Sequence, residues 1–399
     1  MNRSIERKLI LWLLLVLFLA GCGAAGGSGS IAAQQPVAPT ATAVLPTATR
    51  AETPSPAPSA AATVTPSPTQ TRIPSATPTP TGTSTVTPPP TPEHPLMIEV
   101  MRRASYPGSE LQIERTLEPG ENYGRFIVSY QSDGNKIFAL MTVPWGNIPE
   151  TGWPVILFNH GYIRPDLYRS TERYMDYVDY FARNRYIVFR SDYRGHGNSE
   201  GEAGGAYSSP DYTVDVLNGM AAVKTYPDAD PRRIGMWGHS MGGHITLRSM
   251  VISDEIKAGV IWGGVLGPYP DLFARALTPE DPSHTPTPPS TRWPTRWRAW
   301  LLRTFGTRED NPAFWDSISA NAYLEEISGP LQLHHATTDS TVPVAGSEQL
   351  QRQMDEAGML SELYLYEGDN HNIAVNFYTA MGRSLEFFDT HVKGVAIGG

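Results

Sequence analysis

A serine, an aspartate and a histidine each follow a predicted strand, and together they could carry out acyl transfer. Ser240 lies in Gly-His-Ser-Met-Gly at 238–242, between the apolar run 233–237 and the helix-compatible stretch 243–250. Flanking glycines allow a strand-to-helix turn tight enough to expose the serine hydroxyl. A serine hydroxyl is a poor nucleophile at neutral pH, so this interpretation requires a histidine base and a carboxylate to orient that base.

Both required partners occur downstream of Ser240, each on a loop after a predicted strand. Asp339 follows the predicted strand 330–336, and His371 follows the predicted strand 362–366. In parallel sheets such loops meet at the carboxyl edge of the strands. We therefore predict Ser240 as nucleophile, Asp339 as the orienting acid and His371 as the base.

Two alternatives stay open for this set of residues. Asp369 lies two residues before His371 and is the alternative acid, although a loop aspartate commonly only forms a turn. A glycine-rich strand-to-helix turn also occurs in nucleotide-binding folds, but no P-loop lysine follows Ser240 and no glycine triplet with a ribose-binding acid is apparent. A structural role is the default for the other histidines near predicted elements, His239, His334, His335 and His391.

Acyl transfer also needs two backbone N–H groups for the developing oxyanion. Met241 supplies the first by its position directly after Ser240. The second is expected after an earlier strand, and the run 153–159 followed by His160-Gly161-Tyr162 has that form. We predict the Tyr162 N–H as the second donor, with Gly161 allowing the turn.

Other segments of the chain predict the elements that must position these residues. Asp133-Gly134 joins two β-rich runs, 125–131 and 136–143, which predicts a hairpin at the antiparallel edge of a mostly parallel sheet. Further buried strands are expected at 186–192 and 258–263. Helices are predicted at 171–184, 211–225 and 373–392, and their alternation with strands is typical of a doubly wound α/β fold with helices on both faces.

These segments resemble the α/β-hydrolase superfamily, and specifically the catalytic domain of the prolyl-oligopeptidase family and its esterase-like relatives. The resemblance covers residues 125–392. It implies the α/β-hydrolase fold, catalysis by Ser240, Asp339 and His371, and an oxyanion site at Tyr162. Many relatives have a further glycine where Tyr162 stands. The peptidases of that family usually carry an N-terminal β-propeller, and nothing here is long or repetitive enough to be one.

A long excursion, 265–329, separates the strand 258–263 from the next one, and we interpret it as a helical cap over the active site. Its first half carries a Pro/Thr-rich patch, 278–291, expected to be a surface loop. Trp297 and Trp300 then fall near helical spacing among several arginines. These tryptophans are either the buried face of a packed helix or a surface that lines substrate entry or touches a membrane.

The start of the chain predicts export and lipid attachment. Arg3, Arg7 and Lys8 precede the apolar run 9–20, which suits the core of a signal peptide. Leu19-Ala20-Gly21-Cys22 resembles the bacterial lipobox, and Cys22 is the only cysteine in the protein. We predict a lipoprotein signal peptide at 1–21, lipidation of Cys22 and an extracytoplasmic, membrane-anchored location. The alternatives are a simple secretory signal and an uncleaved anchor.

Composition divides the rest of the chain into two parts. Residues 22–96 are rich in Pro, Thr, Ala and Ser and are expected to form a disordered tether. Residues 97–399 are enough for one large α/β domain. The formal net charge of −9 disfavours nucleic acid as a partner, and no zinc-spaced Cys/His cluster or dinucleotide fingerprint appears.

The sequence therefore predicts a serine hydrolase that needs neither a metal nor a cofactor. Its substrate is either a short peptide, which the family resemblance favours, or a small acyl ester, which the missing propeller favours. An alternative of another class is a non-catalytic surface-binding protein on a hydrolase scaffold. One triad can cleave both peptide and ester bonds, so the residues alone do not decide between them.

Overall fold

A computed structural model of the chain describes residues 93–272 and 295–394, all within the unit Thr85–Gly399. Within these ranges the strands form one nine-stranded sheet. They are β1 (Gln112–Leu117), β2 (Tyr123–Ser132), β3 (Asn135–Pro144), β4 (Trp153–Asn159), β5 (Ile187–Ser191), β6 (Ala229–His239), β7 (Ile256–Trp262), β8 (Leu331–Ala336) and β9 (Ser361–Tyr366). The strand order is β1-β2-β3-β5-β4-β6-β7-β8-β9.

The sheet combines an antiparallel edge with a parallel body. β1, β2 and β3 pair antiparallel, and β3 pairs antiparallel with β5. From β5 onward all neighbouring strands are parallel. The β2–β3 hairpin turns at Asp133 and Gly134, whose φ values of 48° and 77° suit a tight two-residue turn. The predicted hairpin and the predicted mostly parallel sheet are confirmed.

Eight α-helices accompany the sheet in the described ranges. They are α1 (Ile98–Arg103), α2 (Met175–Arg183), α3 (Asp211–Val223), α4 (Met241–Ile252), α5 (Thr295–Phe305), α6 (Pro312–Ile318), α7 (Ala345–Glu356) and α8 (Phe377–Phe388). Short 3₁₀ turns occur at Pro165–Leu167 and Ala320–Glu326, and a π-helical turn follows α8 at Asp389–Lys393. No helix in these ranges combines the length and apolar composition needed to cross a bilayer.

Two buried clusters show that helices cover both faces of the sheet. Alternate residues of β4 enter different clusters, Val155 the first and Ile156 the second. The first cluster contains residues of α3, α4 and α7, and the second contains residues of α2 and α8. Every residue of β4, β5 and β8 is buried, as expected for strands covered on both sides.

Two helices begin later than predicted. α2 begins at Met175 and not at residue 171, because Arg173 and Tyr174 adopt left-handed backbone angles, with φ of 43° and 56°. The buried Arg190 guanidinium holds this segment out of the helix by donating to the carbonyl of Arg173 at 2.7 Å and to that of Ser170. An arginine on β5 thus overrides the local helical pattern.

The C-terminal helix begins at Phe377 and not at residue 373, and it ends at Phe388 before the π-helical turn. The Asp369 carboxylate accepts from the backbone N–H of Val375 at 3.2 Å and of Asn376 at 2.9 Å, which fixes 370–376 as a loop. β1 and α1 were not predicted. β1 is almost entirely exposed, so its sequence carries no apolar alternation to reveal it.

Candidate active site

Ser240 lies at the turn between β6 and α4, with φ of 56° and ψ of −116°. This backbone conformation is strained for a residue with a side chain. A Cβ at Gly242 would collide with the Asn159 carbonyl oxygen, and a Cβ at Gly238 would collide with that of Gly242. The two glycines therefore allow β6, β4 and α4 to approach closely enough to hold Ser240 in this conformation.

The serine turn is also held against the neighbouring strand. The Ser240 N–H donates to the Trp262 carbonyl at 2.9 Å, and the Val265 N–H donates to the Ser240 carbonyl at 3.2 Å. Both backbone groups at the turn are thus bonded to the segment that leaves β7. This arrangement fixes the position from which the Ser240 side chain projects.

Asp339 and His371 form a direct pair, as predicted. His371 Nδ1 and Asp339 Oδ2 are 2.6 Å apart, and the Asp339 side chain is fully buried. The other carboxylate oxygen, Oδ1, accepts from the backbone N–H of Thr341 at 2.8 Å and of Val342 at 3.0 Å. Because Nδ1 is bonded to the carboxylate, the imidazole leaves Nε2 as its proton acceptor.

The environment of Asp339 keeps it ionised. Burial by itself would raise the pKa of this carboxyl, but hydrogen bonds from His335 and His371 and the attraction of His371 outweigh burial. Backbone N–H groups add to this effect, and the pKa of Asp339 is held well below its ordinary value. A charged carboxylate next to Nδ1 stabilises a proton arriving at the imidazole.

Asp369, the alternative acid, does not contact the His371 ring. Its carboxylate accepts from the N–H groups of Asn370, Val375 and Asn376, and from the Asn376 side-chain amide. Burial would raise the pKa of Asp369, but these hydrogen bonds lower it. Asp369 shapes the loop that carries His371, which is the turn-forming role expected of a loop aspartate.

The serine and histidine loops meet at Gly263. A Cβ at Gly263 would lie 3.0 Å from His371 Nδ1, so the imidazole packs directly on this glycine, whose neighbour Trp262 bonds the Ser240 N–H. No hydrogen bond joins the Ser240 hydroxyl to His371 in the part of the chain that the structure describes. Such contacts often form fully only when substrate is bound.

The predicted oxyanion donors lie beside Ser240. Met241 is the first residue of α4, so its N–H has no acceptor within the helix. A Cβ at Gly161 would lie 3.2 Å from Ser240 Cβ, which places the Gly161–Tyr162 backbone next to the serine. The Gly161 N–H is already bonded to the Tyr174 hydroxyl at 3.0 Å. Tyr162, a residue that is 58% exposed, remains our predicted second donor.

Three residues near the site were not predicted to have a part in it. His335 Nε2 lies 3.3 Å from Asp339 Oδ2 and 3.0 Å from the Val342 carbonyl, so the histidine braces the acid. His239 and Tyr174 contact each other; Tyr174 also bonds the Gly161 N–H, and His239 also bonds the His371 carbonyl. The adjacency of His239 to Ser240 was an available signal, whereas nothing in the local sequence distinguishes Tyr174.

The described part of the excursion 265–329 contains α5, α6 and the 3₁₀ turn Ala320–Glu326, and its role as a cap stays a prediction. Leu301 of α5 is fully buried and Trp297 packs against the first core cluster, whereas Trp300 is 44% exposed. Trp297 and Leu301 thus follow the packed-helix alternative. The patch 278–291, the tether before residue 93, the signal peptide and Cys22 lie outside the described residues.

A protein-family model matches part of this chain. The family model Hydrolase_4, described as serine aminopeptidase, S33, matches residues 154–303. This segment includes Gly161, Ser240 and Met241. It ends before Asp339 and His371, so the pairing of those two residues is seen in the structure alone.

Curated relatives include peptidases. The chain is 26% identical over 309 residues to the "Probable dipeptidyl-aminopeptidase B" of Aspergillus terreus, covering 71% of this chain and 29% of that protein. It is 24% identical over 229 residues to the "Uncharacterized peptidase YuxL" of Bacillus subtilis, covering 56% of this chain and 32% of that protein. The chain thus spans about a third of the length of these relatives.

Solved structures show the same fold. An acylaminoacyl peptidase of Pyrococcus horikoshii aligns with a TM-score of 0.53 at 20% identity, covering 70% of this chain and 44% of that one. An acetyl xylan esterase from Paenibacillus sp. R4 aligns with a TM-score of 0.53 at 17% identity, covering 73% of this chain and 92% of the esterase. The chain has the α/β-hydrolase fold, and the predicted fold class and the resemblance to hydrolase peptidases and esterases are confirmed.

Proposed function

We propose that this chain, an α/β-hydrolase by fold, is a serine hydrolase that works through an acyl-enzyme. The observation that carries the proposal is the 2.6 Å contact between His371 Nδ1 and the buried Asp339 carboxylate, on a loop that packs beside the strained Ser240 turn. A hydrolase fold that had lost its catalytic activity would have no catalytic reason to keep this pair assembled. We therefore favour catalysis over a purely binding role.

In the proposed mechanism, Ser240 Oγ attacks the substrate carbonyl while His371 Nε2 accepts the hydroxyl proton. The N–H groups of Met241 and Tyr162 hold the oxyanion, and Asp339 stabilises the imidazolium. His371 then returns the proton to the leaving amine or alkoxide as the carbonyl reforms. Water then attacks the acyl-enzyme while His371 accepts its proton. His371 returns this proton to Ser240 Oγ as the ester bond breaks, which releases the acid and regenerates free Ser240.

We propose a short peptide as the first candidate substrate. The family match and the curated relatives are described as peptidases, which supports this choice. A small acyl ester is the second candidate. It is supported by the esterase of similar fold, 92% of which is covered by this chain, whereas 44% of the acylaminoacyl peptidase is covered.

Fluorophosphonate labelling of the full chain tests the proposed nucleophile. We expect the wild type to label and Ser240→Ala to lose labelling completely, since Ser240 carries the hydroxyl that His371 is proposed to activate. His371→Ala should label far more slowly. A well-folded wild type that does not label would contradict the proposal and favour the binding-protein alternative.

Substrate preference is measured separately, with aminoacyl p-nitroanilides against p-nitrophenyl acyl esters. Because p-nitrophenyl esters are intrinsically reactive, the comparison should include unactivated dipeptides and alkyl esters. Higher kcat/KM on the peptides and anilides would support the peptidase. Turnover restricted to the esters would support the esterase.

We also propose that Cys22 is lipidated and that the enzyme acts outside the cytoplasm, anchored to the bacterial membrane. This proposal is supported by the lipobox-like Leu19-Ala20-Gly21-Cys22 after a charged and apolar leader. Metabolic labelling with an alkyne fatty acid in a bacterial host tests it. Labelling of the wild type that disappears in Cys22→Ser is the expected result, and a wild type without label would contradict lipidation.

A further inference from the structure

We propose that Tyr174 and His239 are positioning residues that join the oxyanion loop, the Ser240 turn and the His371 loop into one hydrogen-bonded unit. The inference rests on the proposed function, because it concerns how the same site is kept in its working geometry. Neither residue contacts the reacting atoms in the mechanism above. Their effect on catalysis would come through Gly161–Tyr162 on one side and His371 on the other.

Three consecutive hydrogen bonds connect the loops. The Gly161 N–H donates to Tyr174 Oη at 3.0 Å, Tyr174 Oη lies 2.8 Å from His239 Nδ1, and His239 Nε2 lies 3.0 Å from the His371 carbonyl oxygen. Gly161 precedes the predicted oxyanion donor Tyr162, and His239 precedes Ser240. These bonds therefore reach the oxyanion loop, the Ser240 turn and the His371 loop.

The direction of each of these three hydrogen bonds follows from the groups at the two ends, the Gly161 N–H and the His371 carbonyl. The His371 carbonyl can only accept, so His239 Nε2 carries the proton and donates. In a neutral imidazole Nδ1 then has a lone pair, so the Tyr174 hydroxyl donates to it. The same hydroxyl oxygen accepts the Gly161 N–H, which leaves every member of the chain with a matched partner.

Burial keeps this arrangement in a single protonation state. Desolvation, followed by the repulsion of His371, lowers the pKa of His239 to about 3. His239 is therefore neutral near pH 7. The rings of His239 and His371 are 4.6 Å apart, and neutrality of the first avoids a direct repulsion when the second takes up the serine proton.

The fold holds Tyr174 in place at some conformational cost. Its left-handed φ of 56°, immediately before α2, is uncommon for an aromatic residue. Arg190 secures the preceding residue through its carbonyl, and the Tyr174 ring packs edge-on against Phe158 at 5.6 Å. A strained residue kept by its surroundings and aimed at the serine turn is consistent with a positioning role.

Steady-state kinetics with matched hydroxyl deletions test the proposal. Tyr174→Phe removes only the bridging oxygen, and Tyr180→Phe on the following helix α2 is the control, because the Tyr180 hydroxyl makes no hydrogen bond to the described residues. We expect Tyr174→Phe to lower kcat by roughly 10- to 100-fold, since small misplacements of catalytic groups have effects of that size. KM should change less than twofold, and Tyr180→Phe should resemble wild type.

Variants at His239 separate the two arms of the chain. Gln can place an amide N–H near the position of Nε2, and Asn can place an oxygen near that of Nδ1. We expect His239→Gln to keep more activity than His239→Ala. Tyr174→Phe should add little to the loss of activity in His239→Ala, because both substitutions interrupt the same series of hydrogen bonds. A Tyr174→Phe enzyme with kcat within twofold of Tyr180→Phe would overturn the proposal.

A measurement that does not depend on turnover separates this proposal from the proposed function. In ¹⁵N-histidine-labelled full chain, the His239 ring should show the neutral Nε2–H tautomer from pH 5 to 8, and Tyr174→Phe should shift its Nδ1 resonance. An Nδ1–H tautomer or a charged ring would overturn the network. The expected tautomer in a wild type without hydrolytic activity would support the network while rejecting the proposed function.

Discussion

Two buried aspartates in this molecule show how a candidate active site differs from a structural ion pair. Asp215 on α3 accepts from the Arg194 N–H at 2.8 Å, from Arg194 Nη2 at 2.7 Å and from Ser132 Oγ at 2.7 Å. Asp339 accepts from two backbone N–H groups and from the His371 ring. Both carboxylates are fully buried and both have several donors.

The two aspartates differ in whether the partner side chain keeps an atom that is not bonded within the cluster. Arg194 is a permanent cation whose donors face acidic groups, among them Asp133 and Asp211, so the cluster is closed. His371 uses only Nδ1 for its aspartate and is 17% exposed, so Nε2 remains for chemistry. Burial and a short contact therefore do not identify a functional carboxylate, but a partner with an unused, accessible atom does.

The largest effect that would sharpen this comparison is expected for Asp339→Asn. An amide at this position presents N–H to Nδ1 and favours the wrong imidazole tautomer, which lowers kcat by roughly 10⁴-fold in comparable triads. The free energy of unfolding should change far less than activity. The control is Asp369→Asn, for which a loss below about tenfold is expected because the His371 tautomer is retained. Equal losses in the two variants would contradict the assignment of the acid.

Asp215→Asn is expected to lower the free energy of unfolding and to leave kcat nearly unchanged, the opposite of Asp339→Asn. Removing one partner of a buried ion pair commonly destabilises a protein by about 3–5 kcal/mol. Arg194 keeps its contact with the half-exposed Asp133 at 3.1 Å, so we expect the lower end of that range. Urea unfolding measures the loss, and kcat should stay near wild type under conditions where the variant is folded. Asp133→Asn is the exposed control, with an expected cost below about 1 kcal/mol.

Gly263→Ala tests whether His371 needs the space above this glycine. The added methyl would lie 3.0 Å from Nδ1 and 3.2 Å from Cε1, and φ is +52°. We expect kcat to fall about tenfold, in keeping with displacement of a catalytic ring by less than 1 Å. Gly134→Ala is the control, because its φ is +77° and no atom lies within 4 Å of the new methyl. If both variants lose only stability, the contact with His371 has no catalytic importance.

The stability of the folded chain should also depend on pH through His239. Its folded pKa of about 3 is below the unfolded value near 6.5, so the unfolded chain binds the extra proton below pH 6.5. The stability from a neutral His239 is present above about pH 6.5 and is lost at up to about 1.4 kcal/mol per pH unit as pH falls toward 3. His239→Gln should unfold with a shallower pH dependence in this range. Parallel curves for both proteins would contradict the burial of a neutral ring.

The local sequence was sufficient to predict elements that depend only on the residues of one strand or one turn. The apolar runs of β4, β5 and β8 are buried on both faces, and the Asp133-Gly134 turn adopts the backbone angles that its residue types favour. Local sequence failed at the starts of α2 and α8. At both places a polar side chain bonds backbone groups that a helix would otherwise use, Arg190 from a distant strand and Asp369 from the preceding loop.

The sequence by itself determined the α/β class, the strand-to-turn position of Ser240, and the candidates for acid and base, because each depends on residue types within a short segment. Only the tertiary structure decided that Asp339, and not Asp369, faces His371, and that Tyr174 and His239 connect the three loops. These are distances between segments up to 132 residues apart. They follow from strand order and loop packing, which no local pattern of residues encodes.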